Sequence, residues 1–438
     1  IHHSGKHNSR IKHTLDFLQN HPLNPGLRFL YLENGDYNIS YGEGNVIGEY
    51  NFFIPRSDLF FQKETIDSSA FIANQYTHGG KVIHSVENEK QTETLLLINK
   101  DFQFDVFETI FFHISRYEEV FSSKTDLNEW DTMIEKKQFL VRNELEKTPI
   151  VDQLVVSFFE LISHLPIRKV NSYTISHDID HIHKYGRKLS ILKKIPGHLY
   201  RRKSTKNLNL LIKEYNDSVK DPKKDPYNNF DWLLTNKTGI EKEIYFLVGG
   251  NHDVDTPIPL DNKTFLNAIN LAMAREYNIG VHPSYESWND KKLIIDQRTR
   301  LESITKSKIN ISRQHYLHFD LTLTPKLLMD SGLKEDSSIG YNRHIGFRAG
   351  TGFPFFIYDF NEERSFDLVE KPLAFMDSSC WHESGKNKDK FEKLFYEFFE
   401  LNQFNTHICT NFHNSFFNEA LFNGVNFKDM YLNLVNSL

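Results

Sequence analysis

The stretch Val170-Asn171-Ser172-Tyr173-Thr174-Ile175-Ser176-His177-Asp178-Ile179-Asp180 decides how the rest of the chain is read. Val170 to Ile175 is strand-like, and the five residues Ser176 to Asp180 end it, with His181 and His183 close behind. Extended backbone sends residues two apart to the same side. Asp178 and Asp180 are therefore expected to project together from the strand end, with His177 and His181 facing the other way. Two carboxylates this close repel unless one holds a proton or a cation lies between them. A metal site fits that pattern. So does a polar turn whose Asp side chains accept backbone N–H groups.

Working outward, strand-like and helix-like stretches alternate after Val170. The strand-like runs are Ser172–Ser176, Glu243–Val248, Asn278–Val281, Gln314–Phe319, Leu368–Phe375 and Thr406–Asn411. Tyr227–Asn236, Lys263–Arg275, Pro325–Ser331 and Asp389–Leu401 have helical spacing. Such alternation predicts a parallel α/β architecture with barrel-like closure, in which reactive groups gather at the C-terminal ends of strands. Asp and His recur there: Asp178, Asp180, His282, His315, His318, Asp377 and His413. That recurrence favours a functional site over a polar turn.

Residues 1–165 read differently, as a smaller mixed α+β domain. A helix-like stretch at Arg10–Asn20 precedes strand-like runs at Leu27–Leu32, Asn51–Ile54 and Thr94–Ile98, and helical patterns at Phe104–Phe121 and Pro149–His164. The string Ser115-Arg116-Tyr117-Glu118-Glu119 reads as a solvated helix end. No cluster of catalytic residue types is visible, so this part is expected to be an accessory or recognition domain. The boundary is placed near Leu165-Pro166, where proline interrupts the helical pattern.

Composition bounds the setting. The 438 residues are 39% hydrophobic and 25% charged, which describes a globular protein of two ordinary domains. A net charge of −6 gives no reason to expect nucleic acid as a partner. Cys380 and Cys409 are too few for a disulfide framework and fit a reducing compartment. No apolar run approaches the roughly 18 residues that span a bilayer, and the opening residues carry no apolar signal core. A cytoplasmic location is expected. The insertion around Tyr185–Pro226 carries Lys193, Lys194, Arg201, Arg202, Lys203 and Lys206, so peripheral membrane contact through residues 193–206 is a further expectation. A solvated basic helix is the plainer reading of the same charges.

From about Tyr173 to Asn414 the chain resembles the polysaccharide deacetylases, carbohydrate esterase family 4. The resemblance is carried by Ser176-His177-Asp178-Ile179-Asp180, His282-Pro283-Ser284-Tyr285-Glu286, Gly332 to Ser338, Gly346-Phe347-Arg348-Ala349-Gly350-Thr351, Pro372 to Asp377 and Asn411-Phe412-His413-Asn414, in that order. The whole chain is similar to a bacterial subgroup in which an uncharacterised domain with a Ser-Arg-Tyr-Glu-Glu string precedes the deacetylase. The resemblance implies a distorted (β/α) barrel over residues 166–438 and a metal-dependent hydrolase. It would remove acetyl groups from an N-acetylated sugar of a glycan or a lipid-linked precursor. It further implies Asp180 and His282 as ligands of a divalent metal, Zn²⁺, Asp178 as general base, and Arg348 paired with Asp178. His413 would be the general acid, with Asp377 setting its tautomer. The motif's second histidine is missing, because Glu286 stands four residues after His282. A catalytic zinc normally takes three protein ligands. His315, placed on the following strand, is the favoured third ligand over Glu286 and His181. Were none of them to serve, the domain would be a catalytically degenerate glycan-binding protein. Tyr285, Trp288, Phe353, Phe355, Phe356 and Tyr358 are candidates to stack on sugar rings.

Overall fold

A computed structural model describes residues 2–3, 9–29, 37–41, 50–57, 59–61, 71–78, 81–88, 104–128, 132–185 and 205–438. Among the described residues two small sheets come first. Strands β1 (His2–His3), β2 (Tyr37–Tyr41) and β3 (Tyr50–Ile54) pair in parallel, and β4 (Phe71–His78) pairs antiparallel with β5 (Lys81–Asn88). Helices α1 (Ser9–Asn20), α2 (Val106–Ile114) and α3 (Ile150–Ser163) pack with them. The Asp105 side chain caps α2 by accepting from the Glu108 N–H.

The helix expected over Phe104–Phe121 breaks at Ser115-Arg116. Arg116 adopts φ +54 and starts a second short helix, Tyr117–Val120. The Ser-Arg-Tyr-Glu-Glu string is consequently no solvated end: Arg116, Tyr117 and Glu118 are each 1% exposed. Residues 27–29 form no strand, and Thr94–Ile98 lies outside the described residues.

Among the described residues nine strands follow: β6 (Asn171–Ile179), β7 (Glu241–Phe246), β8 (Asn278–Val281), β9 (Ile311–Ser312), β10 (Glu335–Asp336), β11 (Phe355–Asp359), β12 (Arg364–Glu370), β13 (Leu373–Met376) and β14 (Thr406–Asn411). They form one sheet in the order β11-β12-β10-β9-β8-β7-β6-β14-β13, parallel except for the β11–β12 pair. β12 lies near one edge and β13 at the other, yet only Lys371 and Pro372 separate them in sequence. Two residues reach about 7 Å, so the sheet must curl back on itself. The result is a curled half-barrel.

Helices α4 (Lys263–Ala274), α5 (Lys291–Thr305), α6 (Lys388–Leu401) and α7 (Phe427–Ser437) are among those that cover it. In α4 the buried Phe265, Ala268, Ile269 and Ala272 recur at i, i+3, i+4 and i+7, an apolar stripe facing the sheet. Two expected strands differ. Leu368–Phe375 divides at Lys371-Pro372, where proline cannot donate to a ladder. Gln314–Phe319 is not a strand: β9 ends at Ser312 and His315–Leu317 forms a tight 3₁₀ turn. Tyr316 (φ +60) and Leu317 (φ +52) have left-handed backbone that a strand cannot contain.

Apolar residues from both halves of the sequence, among them Ile11, Phe111, Leu154, Phe246, Ile294 and Phe355, belong to one continuous buried cluster. The inside of the curl is polar. Lys371 pairs with Glu241 (3.0 Å), Glu335 (3.0 Å) and the fully buried Glu243. No helix among the described residues is long and apolar enough to cross a membrane. Lys193, Lys194, Arg201, Arg202 and Lys203 lie outside the described residues, as does the Lys206 side chain.

Candidate metal centre and active site

Strand β6 delivers Asp178 and Asp180 to one end of the sheet, side by side as period-two alternation requires. His177 faces the other way, buried, its Nδ1 3.0 Å from the Phe412 carbonyl and its ring against Tyr431. His181, expected on that far side, instead lines the same cleft as the two aspartates, because the strand ends at Ile179 and the chain bends. His282 follows β8, where its N–H continues the ladder to Phe246 O at 3.0 Å. His315 arrives on the 3₁₀ turn after β9, anchored by its N–H on Pro283 O at 2.9 Å.

One carboxylate oxygen of Asp180 and one ring nitrogen each of His282 and His315 lie within 4.8 Å of one another. His282 Nε2 is 3.2 Å and His315 Nε2 3.8 Å from Asp180 Oδ1. The partners on the far side of each ring fix its tautomer. His282 Nδ1 faces the Arg313 carbonyl, which only accepts, so that nitrogen must carry the proton. His315 Nδ1 donates to Asp255 Oδ1 at 2.7 Å. With both rings neutral, their Nε2 atoms present lone pairs, the arrangement that metal-ligating histidines adopt. Asp180 Oδ1 is buried and accepts no hydrogen bond. Two imidazoles and a carboxylate converging on an unsatisfied oxygen can hold a metal ion. Glu286 and His181 are not part of the cluster.

Asp178 stands beside it. Arg313 NH1 donates to Oδ1 at 2.8 Å, Asn411 Nδ2 donates to Oδ2 at 2.6 Å, and His282 Nε2 is 3.9 Å away. Burial disfavours this carboxylate, but Arg313, His282 and His413 outweigh burial and lower its pKa. Burial likewise opposes Asp180, and His282, His315 and His413 hold its pKa well below the usual range. His413 follows β14. Its Nδ1 donates to Asp377 Oδ1 at 2.6 Å, its N–H donates to Oδ2 at 2.7 Å, and its Nε2 lies 3.9 Å from Asp180 Oδ2. Burial works against the imidazolium, yet Asp377 and the two cleft aspartates raise its pKa to about 10.

Arg348 is a correction. It does not reach Asp178. Its guanidinium pairs with Glu119 (Nε–Oε1 3.0 Å) and donates to Gly340 O at 2.8 Å. The reason lies in the segment around it. Gly346 to Gly352 is spent on holding the N-terminal residues: Phe347 N–H donates to Glu146 O (2.7 Å) and Val151 N–H to Gly350 O (2.8 Å). Asp152 accepts from Thr351 Oγ1, Gly352 N and Thr406 Oγ1. A Cβ on Gly346, whose φ is +139, would stand 2.1 Å from Glu146 O. Arg313 takes the place beside Asp178 instead, with its Nε on Ser337 O at 3.0 Å and its plane 4.4 Å from the Tyr245 ring.

The sequence pattern carries no role for Arg313, for Asn411 as a clamp on Asp178, or for Asp255 behind His315. Arg313 sits two residues before His315 and Asn411 two before His413, and that proximity is the signal the sequence offers for them. A cleft of about 460 Å³ opens over Asp178, Asp180, His282, His315 and His413. Tyr316, Tyr227 and Phe416 line it. The expected sugar-stacking residues do not: Phe353, Phe355 and Tyr358 are buried core, and Tyr285 and Trp288 pack on His318.

Residues 1–166 match a family model described as a family of unknown function, DUF7033. A solved chain assigned as a polysaccharide deacetylase from Mycobacterium smegmatis is 14% identical, over 57% of this chain and 81% of that one, with a TM-score of 0.29. No curated protein matches the chain.

Proposed function

We propose that the protein is a metal-dependent hydrolase that removes acetyl groups from an N-acetylated sugar of a glycan or lipid-linked glycan precursor. The observation that carries this reading is the Asp180–His282–His315 cluster flanked by two oriented proton-transfer groups, Asp178 and His413. In this reading residues 166–438 are the catalytic barrel and residues 1–165 an accessory domain. Imidazole and carboxylate donors suit Zn²⁺. Bound there, a divalent cation would make water acidic near neutral pH and polarise the acetyl carbonyl.

The chain's own groups supply the rest. Asp178, clamped by Arg313 and Asn411, accepts the proton of the attacking water as general base. The proton on His413 Nδ1 is committed to Asp377, which aims Nε2 into the cleft to protonate the departing amine. Arg313, planar and locked by Ser176, Ser337 and Tyr245, keeps Asp178 ionised and oriented. Membrane contact through residues 193–206 remains part of the proposal for a lipid-linked substrate.

The test is acetate release. The full chain loaded with one equivalent of Zn²⁺ is incubated with N-acetylglucosamine oligosaccharides, and free acetate and free amine are measured. Equimolar acetate and amine are expected. A chain that holds its metal and binds the oligosaccharide without releasing acetate would instead be a non-catalytic glycan-binding protein.

A further inference from the structure

His315 rides on a turn that its own residue types disfavour. The two residues after it, Tyr316 (φ +60) and Leu317 (φ +52), are both left-handed, and neither is glycine, asparagine or aspartate. Consecutive residues of that kind are costly there, so contacts from elsewhere in the fold must hold them. The peptide between them is held: the Tyr316 carbonyl accepts from Asn342 Nδ2 at 3.0 Å. Tyr316 and Asn342 both line the metal cleft.

Asn342 is fixed in turn by a residue from the N-terminal part of the chain. One oxygen of the Glu135 carboxylate accepts the Asn342 N–H at 2.6 Å. The same carboxylate accepts the Arg343 N–H, at 3.2 and 3.1 Å to its two oxygens, and His344 Nδ1 at 2.6 Å. Three consecutive residues thus close on one carboxylate, which is 16% exposed. Hydrogen bonds to an ionised acceptor are the strong ones.

Glu135 has a firm base. It opens a 3₁₀ turn, Glu135–Lys137, closed by the Gln138 N–H on the Glu135 carbonyl at 3.0 Å, and Gln138 and Phe139 are buried. The residues on either side of the 342–344 segment are tied down separately. Ser379 Oγ donates to Tyr341 O (2.7 Å), and the Ile345 N–H donates to Glu383 Oε2 (2.8 Å). Glu135 therefore sets the middle of the segment and not its whole path.

We propose that Glu135 is a positioning residue for the metal centre. By closing residues 342–344 on its carboxylate it keeps Asn342 on the Tyr316 carbonyl, and that bond holds the turn that presents His315 to Asp180 and His282. Groups behind a metal ligand set its orientation and with it the affinity for the metal. Asp255 supports the His315 ring, and the Glu135–Asn342 pair supports the turn that carries it. The inference rests on the metal-site reading of Asp180, His282 and His315. It gives residues 1–165 a part in the centre itself, beyond packing against the sheet.

The experiment is a Zn²⁺ competition titration of the full chain against a chromophoric chelator, on protein shown to be folded by circular dichroism. Asn342→Ala should weaken Zn²⁺ binding about fivefold, the worth of one hydrogen bond. Glu135→Ala should weaken it by about the same factor. The double variant should bind like Asn342→Ala alone, because the two residues act along one path. Glu135→Gln keeps an oxygen for the Asn342 and Arg343 N–H groups and should bind like wild type. Wild-type affinity in both alanine variants overturns the proposal, as do additive losses in the double variant. Equal losses in Glu135→Gln and Glu135→Ala overturn it too, since they would report the lost charge and not the lost position. His315→Ala is the reference. If it binds Zn²⁺ as tightly as wild type, the metal-site reading falls and this inference with it; if it binds weakly while the other variants do not, this inference alone falls.

Discussion

At the residue scale the site is a set of paired groups, and the pairings carry distinct predictions. Asp178→Asn keeps the volume of the side chain and removes the proposed base. It is expected to leave metal stoichiometry by elemental analysis unchanged and to lower acetate release about 10²- to 10⁴-fold. Unchanged release would take Asp178 out of that role. Arg313 and Arg348 should behave differently under the same change. Arg313→Met leaves a buried carboxylate unpaired within the cleft and is expected to abolish turnover. Arg348→Met removes one of the two guanidiniums on Glu119, which keeps Arg116, and should cost about 1.5–3 kcal/mol of stability, while the molecules that fold keep their turnover per metal. Sequence order could not distinguish these two arginines. Arg313 precedes a run read as a strand and Arg348 lies in the Gly346–Thr351 motif, and only the path of the chain decides which guanidinium is within reach of Asp178.

At the element scale, strand periodicity carried Asp178 and Asp180 to one side, and the position of His282 after an apolar run was equally legible. The turn at His315 was not. A run such as Gln314–Phe319 looks strand-like because nothing in it is glycine or proline, yet Tyr316 and Leu317 adopt left-handed backbone, and His315 on that turn lies 3.8 Å from Asp180 Oδ1. Non-glycine residues hold that conformation at a cost of about 1 kcal/mol or more each, and surrounding contacts must impose it. The Gly346–Gly352 segment shows the same limit in reverse. It looks like part of a catalytic motif and serves as a docking strip. Gly346→Ala would drive a Cβ into the Glu146 carbonyl and should cost roughly 3 kcal/mol, read as a lowered melting temperature. Acetate release per folded molecule is expected to stay the same, because no atom of that strip lies in the cleft.

At the scale of the whole molecule, the N-terminal residues are joined to the curled sheet by a shared apolar core and by the buried Arg116–Glu119–Arg348 group. Residues 166–438 expressed alone would expose Phe355 and its neighbours, and they should elute as aggregates in size-exclusion chromatography. A monomeric, folded fragment would show that the shared core is dispensable. The ion group also sets an acid limit. Burial raises the Glu119 pKa, but Arg116 and Arg348 overcome it and depress it to about 2. A depressed folded-state value stabilises above the unfolded carboxylate pKa, about 4.3, and that stabilisation is lost as pH falls toward 2. Denaturation midpoints should therefore separate wild type from Glu119→Gln at pH 7 and converge near pH 2. The sequence by itself determined the strand-helix alternation, the paired aspartates and the ends where His282 and His413 emerge, because these follow from local periodicity. Only the tertiary structure decided that Arg313 rather than Arg348 faces Asp178, that His315 reaches Asp180, and that Arg116 and Glu119 are buried. Those outcomes depend on which distant segments the curled sheet brings within a few ångströms, and no local spacing encodes that.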